Sequence, residues 1–335
     1  MRIIKWLIGF IAVAGIVYLL GPNPETPVYN TTLPNIPGEP AALEALIQSN
    51  EQKHKVRPNN EARIVWANDS VKQKTPYAIV YLHGFSASQE EGNPVHQHIA
   101  KQFGYNLYLA RLSEHGIDTT DALINMTAAS LFESAKEAYA IGKQIGEKVI
   151  LMGTSTGGTL ALQLAAIYPE IAGLVLYSPN IAIKDPNAWL LNNPWGLQIA
   201  RMVKGSNYMG VQKEHPLYQQ YWNTKYRLEA TVQLEELLET TMTKENFAKV
   251  KQPLLVLYYY KDEQEQDPVV SVDAMKKMFA EVGTEEKNKK MIPVPNTGNH
   301  VIASPIQSKD IISVEKETAD FLKTVMQLPK QTIIQ

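Results

Sequence analysis

Between residues 60 and 330, short apolar runs alternate with segments of helical periodicity. The runs at 62–66, 78–82, 107–111, 149–152, 174–177, 254–260 and 291–294 read as strands, and several are almost continuously apolar, as parallel strands buried on both faces must be. Apolar positions recur at the helical period in 95–103, 128–145, 159–168, 272–282 and 310–326. The alternation predicts an α/β sheet with helices on both faces. One interval breaks the rhythm. Some 75 residues separate the run ending at Tyr177 from the one beginning near Leu254, far more than a crossover helix needs. The interval is rich in aromatics, and Tyr218, Tyr221, Trp222 and Tyr226 are spaced to give one helix an aromatic face. It reads as a helical cap over about 180–250, with the aromatic face packed chiefly on the sheet domain.

The pattern before residue 60 is different. Arg2 and Lys5 precede an apolar run from Trp6 to Leu20, and no further Lys or Arg occurs until Lys53. That asymmetry predicts a cytoplasmic N-terminus and a single N-terminal anchor over 1–21, with the main domain on the non-cytoplasmic side of the cytoplasmic membrane. The run is about five residues short of a usual span, so a cleaved secretory signal, giving a secreted or periplasmic protein, is the alternative. Bulky residues and Pro22 at the exit of the run favour retention. Six prolines between Pro22 and Pro40 predict an extended linker that lifts the domain off the membrane. A short helix at 41–49 closes this 22–60 segment, and the main domain is expected over 61–330.

Composition narrows the picture without naming a reaction. The 335 residues, 44% of them hydrophobic, suffice for one large α/β core or two modest ones. A net charge of −2 with no basic patch gives no sign of nucleic-acid binding. Cysteine is absent, which removes disulfides, thiolate nucleophiles and thiolate metal ligands.

Candidate chemistry begins at Gly153-Thr154-Ser155-Thr156-Gly157, between the apolar run at 149–152 and a helical stretch. A serine at the tip of a sharp strand-to-helix turn needs small residues two before and two after it. Both are glycine here, and Gly158 follows. The five-residue pattern alone arises by chance in about one chain in ten of this length, so its place at a strand–helix junction carries the reading. No lysine follows the glycines at the spacing of a phosphate-binding loop.

A serine nucleophile needs a base, and the base needs a carboxylate. Of seven histidines, His300 lies in a loop just after the final strand candidate, downstream of the serine with room for an acid between them. His54 and His215 read as surface residues, and His96 and His98, two apart on a helix, cannot share a face. The acid belongs after the strand at 254–260, where Asp262 and Asp267 compete. Asp262 is nearer the strand. Asp267 opens a Pro-Val-Val-Ser turn whose valines can pin the loop to the core, which makes it the first choice and Asp262 the alternative. An oxyanion hole needs two backbone N–H groups. Thr156, after the serine, supplies one; Phe85 in His83-Gly84-Phe85-Ser86 supplies the other.

On His83-Gly84-Phe85, Arg111-Leu112-Ser113-Glu114-His115-Gly116, the Ser155 pentapeptide, Asp267-Pro268-Val269-Val270 and Gly298-Asn299-His300, the chain resembles the α/β-hydrolase fold family over roughly 60–330. The second motif is similar to the Arg-Leu-x-Gly-His-Gly turn of monoacylglycerol-lipase-like and carboxylesterase-like members, with Glu114 replacing a glycine. The resemblance implies a mostly parallel sheet of about eight strands, a helical cap inserted after strand 6, and no cofactor or metal. It also makes His115 a loop-structuring residue. The expected activity is a serine hydrolase cleaving carboxylic esters, with lipid-like or acyl-glycerol esters as small-molecule substrates, the membrane as a partner and no nucleic acid. A peptidase or thioesterase on the same triad, or an inactive binding protein of this fold, are the alternatives.

Overall fold

The structure, a computed structural model, describes residues 2–210 and 215–329. Each of the seven expected strands is present in one sheet: β1 (Arg63–Val65), β2 (Thr75–Leu82), β3 (Asn106–Leu109), β4 (Gly146–Thr154), β5 (Gly173–Tyr177), β6 (Leu254–Tyr258) and β7 (Lys289–Pro293). They lie in the spatial order β1-β3-β2-β4-β5-β6-β7, all parallel except β1, which runs antiparallel to β3. Alternation along β2 divides the core. Ala78, Val80 and Leu82 face one helical layer and Ile79 and Tyr81 the other, all fully buried.

The first layer holds α1 (Pro40–Glu51), α2 (Ala128–Ile145), α3 (Thr156–Ile167) and α4 (Val272–Glu281); the second holds α5 (Val95–Phe103) and α6 (Ile311–Thr324). Helix starts follow local chemistry. Thr127 and Ser130 form a reciprocal capping box on α2, Ser271 accepts the Ala274 N–H on α4, and Asp310 accepts the Ser313 N–H on α6. Gly104, at φ +69°, ends α5 in a left-handed turn.

The sheet has one strand fewer than the expected eight, so the long interval follows the fifth strand in chain order. It carries α7 (Gly196–Lys204), α8 (Pro216–Tyr221), α9 (Leu228–Thr241) and α10 (Lys244–Phe247), with a hairpin of Tyr208–Gly210 and Lys225–Arg227. The expected single aromatic helix is not formed. Tyr218 and Tyr221 lie on α8, Trp222 just beyond it and Tyr226 on the hairpin. Thr224 and Asn223 intervene in non-helical backbone, so side chains from three local conformations converge.

The N-terminal reading requires correction. Residues Arg2–Leu19 form a helix, but among the described residues no helix is long and apolar enough to cross a membrane. The physical reason is length. Lys5 interrupts the apolar surface near the start, and the 14 uncharged residues from 6 to 19 rise only about 21 Å, against about 30 Å of hydrocarbon. The anchor, the membrane as a partner and the placement of the catalytic domain on the non-cytoplasmic side all rested on that span and are withdrawn. The end of this helix instead meets the long interval, where the Trp195 ring N–H donates to the Val17 carbonyl at 2.9 Å. The proline-rich segment lies along the domain: the Tyr29 hydroxyl bonds Thr240 at 2.7 Å, and the Tyr168 hydroxyl donates to the Thr31 carbonyl at 2.7 Å.

Candidate active site

Ser155 stands where β4 turns into α3. Its backbone is strained, at φ +52° and ψ −118°, and its N–H donates to the Tyr177 carbonyl on the neighbouring strand at 2.9 Å. The flanking glycines are required by contact. A Cβ on Gly157 would collide with the Leu82 carbonyl, and one on Gly153 would lie 2.5 Å from the Gly157 carbonyl oxygen. The strand, the turn and the helix therefore close on each other, leaving Ser155 only 6% exposed at the floor of a cavity.

His300 reaches the same cavity from the loop after β7. Its Nδ1 bonds Asp267 Oδ2 at 2.7 Å, and Asp267 is fully buried. The other carboxylate oxygen accepts the N–H groups of Val269 at 2.8 Å and Val270 at 3.0 Å. Burial alone would push the Asp267 carboxyl up, but His300 and these two N–H groups outweigh it and hold it below the usual range. Burial would likewise depress His300, yet Asp267 first and Glu91 second raise it. Asp262 is elsewhere. It is exposed, and its Oδ1 accepts the N–H groups of Gln264 and Glu265 in a surface turn. The geometry explains why sequence distance misleads here. Residues 260–266 fold back on themselves, with Lys261 N–H donating to the Glu265 carbonyl, so that Asp267 N–H meets Tyr259 at the very end of the strand.

The loop after β2 carries Phe85. The Gly84 carbonyl accepts from His83 Nδ1 at 2.9 Å and from Ala87 N–H at 3.3 Å, and Ser86 N–H donates to His115 Nε2 at 3.0 Å. His83 and His115 are fully buried, and burial pushes both well down, His83 to about 4. They are therefore neutral: His83 donates through Nδ1 while its Nε2 accepts the Leu112 N–H at 3.0 Å, and His115 Nε2 accepts from Ser86. The N–H groups of Phe85 and Thr156 have no partner among the described residues. Of the remaining histidines, His54 and His215 are exposed, His98 pairs with Glu315, and buried His96 bonds the Gln89 carbonyl.

Ser155, His300, Phe85 and Glu91 open onto one cavity of about 600 Å³. Its far walls come from the long interval, through apolar residues including Leu190, Ile199, Val203, Met209, Leu228 and Leu234. Tyr218 and Trp222 stack with ring centroids 4.9 Å apart, and with Tyr226 they line the cavity, a more direct part than the packing role expected of them. No group of three His, Asp or Glu residues among those described could hold a metal ion.

A family profile described as serine aminopeptidase, S33, matches residues 76–294. The chain belongs to this S33 family of α/β-hydrolases. As an S33-family member it is an enzyme, a serine hydrolase of the lipase and esterase-like kind. It is 27% identical over 212 residues to the thermostable monoacylglycerol lipase of Bacillus sp. strain H-257, covering 63% of this chain and 79% of that protein. Two solved structures share the fold. One, from work on the metagenome-derived lipolytic enzymes LipS and LipT, superimposes with a TM-score of 0.63 at 18% identity, over 80% of this chain and 99% of its own. The other, the Paleococcus ferrophilus monoacylglycerol lipase, has a TM-score of 0.57 at 16% identity, over 78% of this chain and 98% of its own.

Two residues of this S33-family site escaped sequence reasoning. Lys184, at the start of the long interval, donates to the Asp267 carbonyl at 2.6 Å and ties the cavity's far wall to the acid loop. Glu91 is buried against Gly84. Its only sequence signal was Gln89-Glu90-Glu91, a polar run that reads as solvated surface.

Proposed function

We propose that this enzyme is a serine esterase acting on carboxylic esters with lipid-like acyl groups, acyl-glycerol esters among them. Ser155 Oγ attacks the ester carbonyl while His300 takes its proton. The tetrahedral oxyanion sits between the N–H groups of Phe85 and Thr156, and collapse expels the alcohol as His300 returns the proton to it. Water then attacks the acyl-enzyme by the same proton path, releasing the acid. Asp267 fixes the His300 tautomer with its proton on Nδ1, leaving Nε2 to work as base, and balances the imidazolium as it forms.

The observation that carries this reading is the apolar cavity of about 600 Å³ with Ser155 and His300 at one end and aliphatic walls beyond. An acyl chain gains from leaving water for such a surface, while a short polar peptide leaves its amides unpaired there. Its likeness to the Bacillus monoacylglycerol lipase supports the same class. The test is hydrolysis of p-nitrophenyl esters of graded chain length by wild type and Ser155→Ala, beside a thioester and an aminoacyl-anilide panel. We expect ester turnover that Ser155→Ala lowers by about 10⁶-fold. Equal activity of the two proteins, or turnover confined to the anilides, would sink the assignment.

A further inference from the structure

Glu91 has no part in the reaction just described, yet it is the most unusual ionisable group in the site. It lies on the short turn Gln89–Gly92 after the oxyanion loop, is 2% exposed, and lines the cavity that Ser155 and His300 share. One carboxylate oxygen, Oε2, accepts the Gly84 N–H, and Oε1 has no partner among the described residues. The point where a Gly84 Cβ would sit is 3.0 Å from Glu91 Oε1 and 3.0 Å from Ser155 Cβ, so Gly84 is wedged between the carboxyl and the nucleophile. Burial pushes the Glu91 carboxyl up to about 7, a measure of what it costs to keep there. An apolar side chain would fill the space more cheaply.

The bond acts on the one residue of the loop with free dihedrals. In a trans peptide the N–H points opposite to the C=O of the same plane. The Gly84 carbonyl is taken by His83 Nδ1 and Ala87 N–H, so the Phe85 N–H, in the same plane, must point away from them. Those two bonds leave the preceding plane free to turn about the glycine, and a turn there would shift the Gly84 carbonyl and the Phe85 N–H with it. Glu91 is the group that fixes it. With Ser86 N–H held by His115 Nε2, both neighbours of Phe85 are tied and its N–H alone is left over.

We propose that Glu91 is the positioning residue of the oxyanion hole, holding the Gly84 peptide so that the Phe85 N–H is aimed at the oxyanion formed on Ser155. This rests on the serine-esterase reading above. Full-length Glu91→Ala and Glu91→Gln are compared with wild type for kcat and KM on p-nitrophenyl butyrate, and for the rate at which a fluorophosphonate labels Ser155, whose phosphoryl oxygen enters the same hole. Glu91→Ala should lose about 10²-fold in kcat with KM changed less than about threefold, and should label more slowly by a similar factor. Glu91→Gln, whose amide oxygen can accept the same N–H, should keep kcat within about fivefold. Should the alanine variant fail to fold, Glu91→Asp, one methylene too short to reach Gly84, takes its place. A folded Ala or Asp variant with wild-type kcat and labelling overturns the proposal, as does a Gln variant as impaired as the alanine one. If wild type labels but turns over no ester, the esterase reading fails separately, and the labelling rates still decide the role of Glu91.

Discussion

The two walls of the cavity are built on opposite plans. The sheet-side wall is made of turns that admit almost no other sequence: a strained Ser155 between glycines that cannot bear a Cβ, a buried Asp267 with both oxygens bonded, and a loop whose backbone donors are assigned one by one. The wall from 178–253 is largely apolar, aliphatic and aromatic side chains together, and some of its residues stay exposed, Val203 at 74% and Ile199 at 36%. It is held to the body by polar ties such as Arg227 with Asp121 at 3.1 Å and Lys184 with the Asp267 carbonyl. On the proposed function, chemistry is stored in short-range geometry, where one atom out of place is costly, while selectivity rests on loosely specified apolar surface. Substitutions in the two walls should fail in different ways.

The sharpest contrast is expected at the acid. Asp267→Asn keeps the shape of the buried loop but can present its amide N–H₂ to His300 Nδ1, favouring the wrong tautomer, and should lower kcat by about 10⁴-fold on every ester tested. The same change tests the pH dependence. As the proposed base, His300 can act only when neutral, and its pKa is raised above the ordinary 6.5 because Asp267 and Glu91 outweigh the effect of burial. Activity of the wild type should therefore fall as pH drops through a value above 6.5. With Asp267 gone, the acid limb of the residual kcat/KM should move to lower pH. An acid limb that stays in place would show that a different group titrates.

The same division governs what could be read before the fold was known. The strands were legible because burial on both faces leaves apolar runs in the sequence, and Ser155 was legible because its turn demands glycines at fixed spacing. The carboxylate that meets His300 was only half legible. Nothing in residues 261–266 announces that they close into a hairpin returning Asp267 to the strand end. The aromatic cluster was misread as one helix because helical spacing and convergence from three conformations leave similar sequence traces. The far wall carried no motif at all, since aliphatic residues that line a cavity and those that fill a core look alike. Its role is open to a direct test at Ala200 on α7. Ala200→Phe places a ring in the acyl space. It should cut kcat/KM for p-nitrophenyl decanoate by about tenfold or more, leaving the acetate ester and fluorophosphonate labelling within about threefold. Equal losses on both esters would mean that this wall shapes the chemistry after all.

The smallest effect is expected at Asp262, where the sequence offered a credible acid and the structure puts a turn. Its side chain is exposed, and its pKa is lowered by the backbone N–H groups of Glu265 first and Gln264 second, the signature of a carboxylate closing its own loop. Asparagine retains an acceptor oxygen for that purpose, so Asp262→Asn should leave kcat/KM within about twofold at every pH. Asp267→Asn and Asp262→Asn make nearly the same chemical change five residues apart. They should differ in rate by about four orders of magnitude, because only one of the two is returned by the hairpin to the buried ring of His300. If Asp262→Asn proves as damaging as Asp267→Asn, the hairpin has some part in the reaction, and the division between a chemical wall and its surroundings would have to be drawn further out.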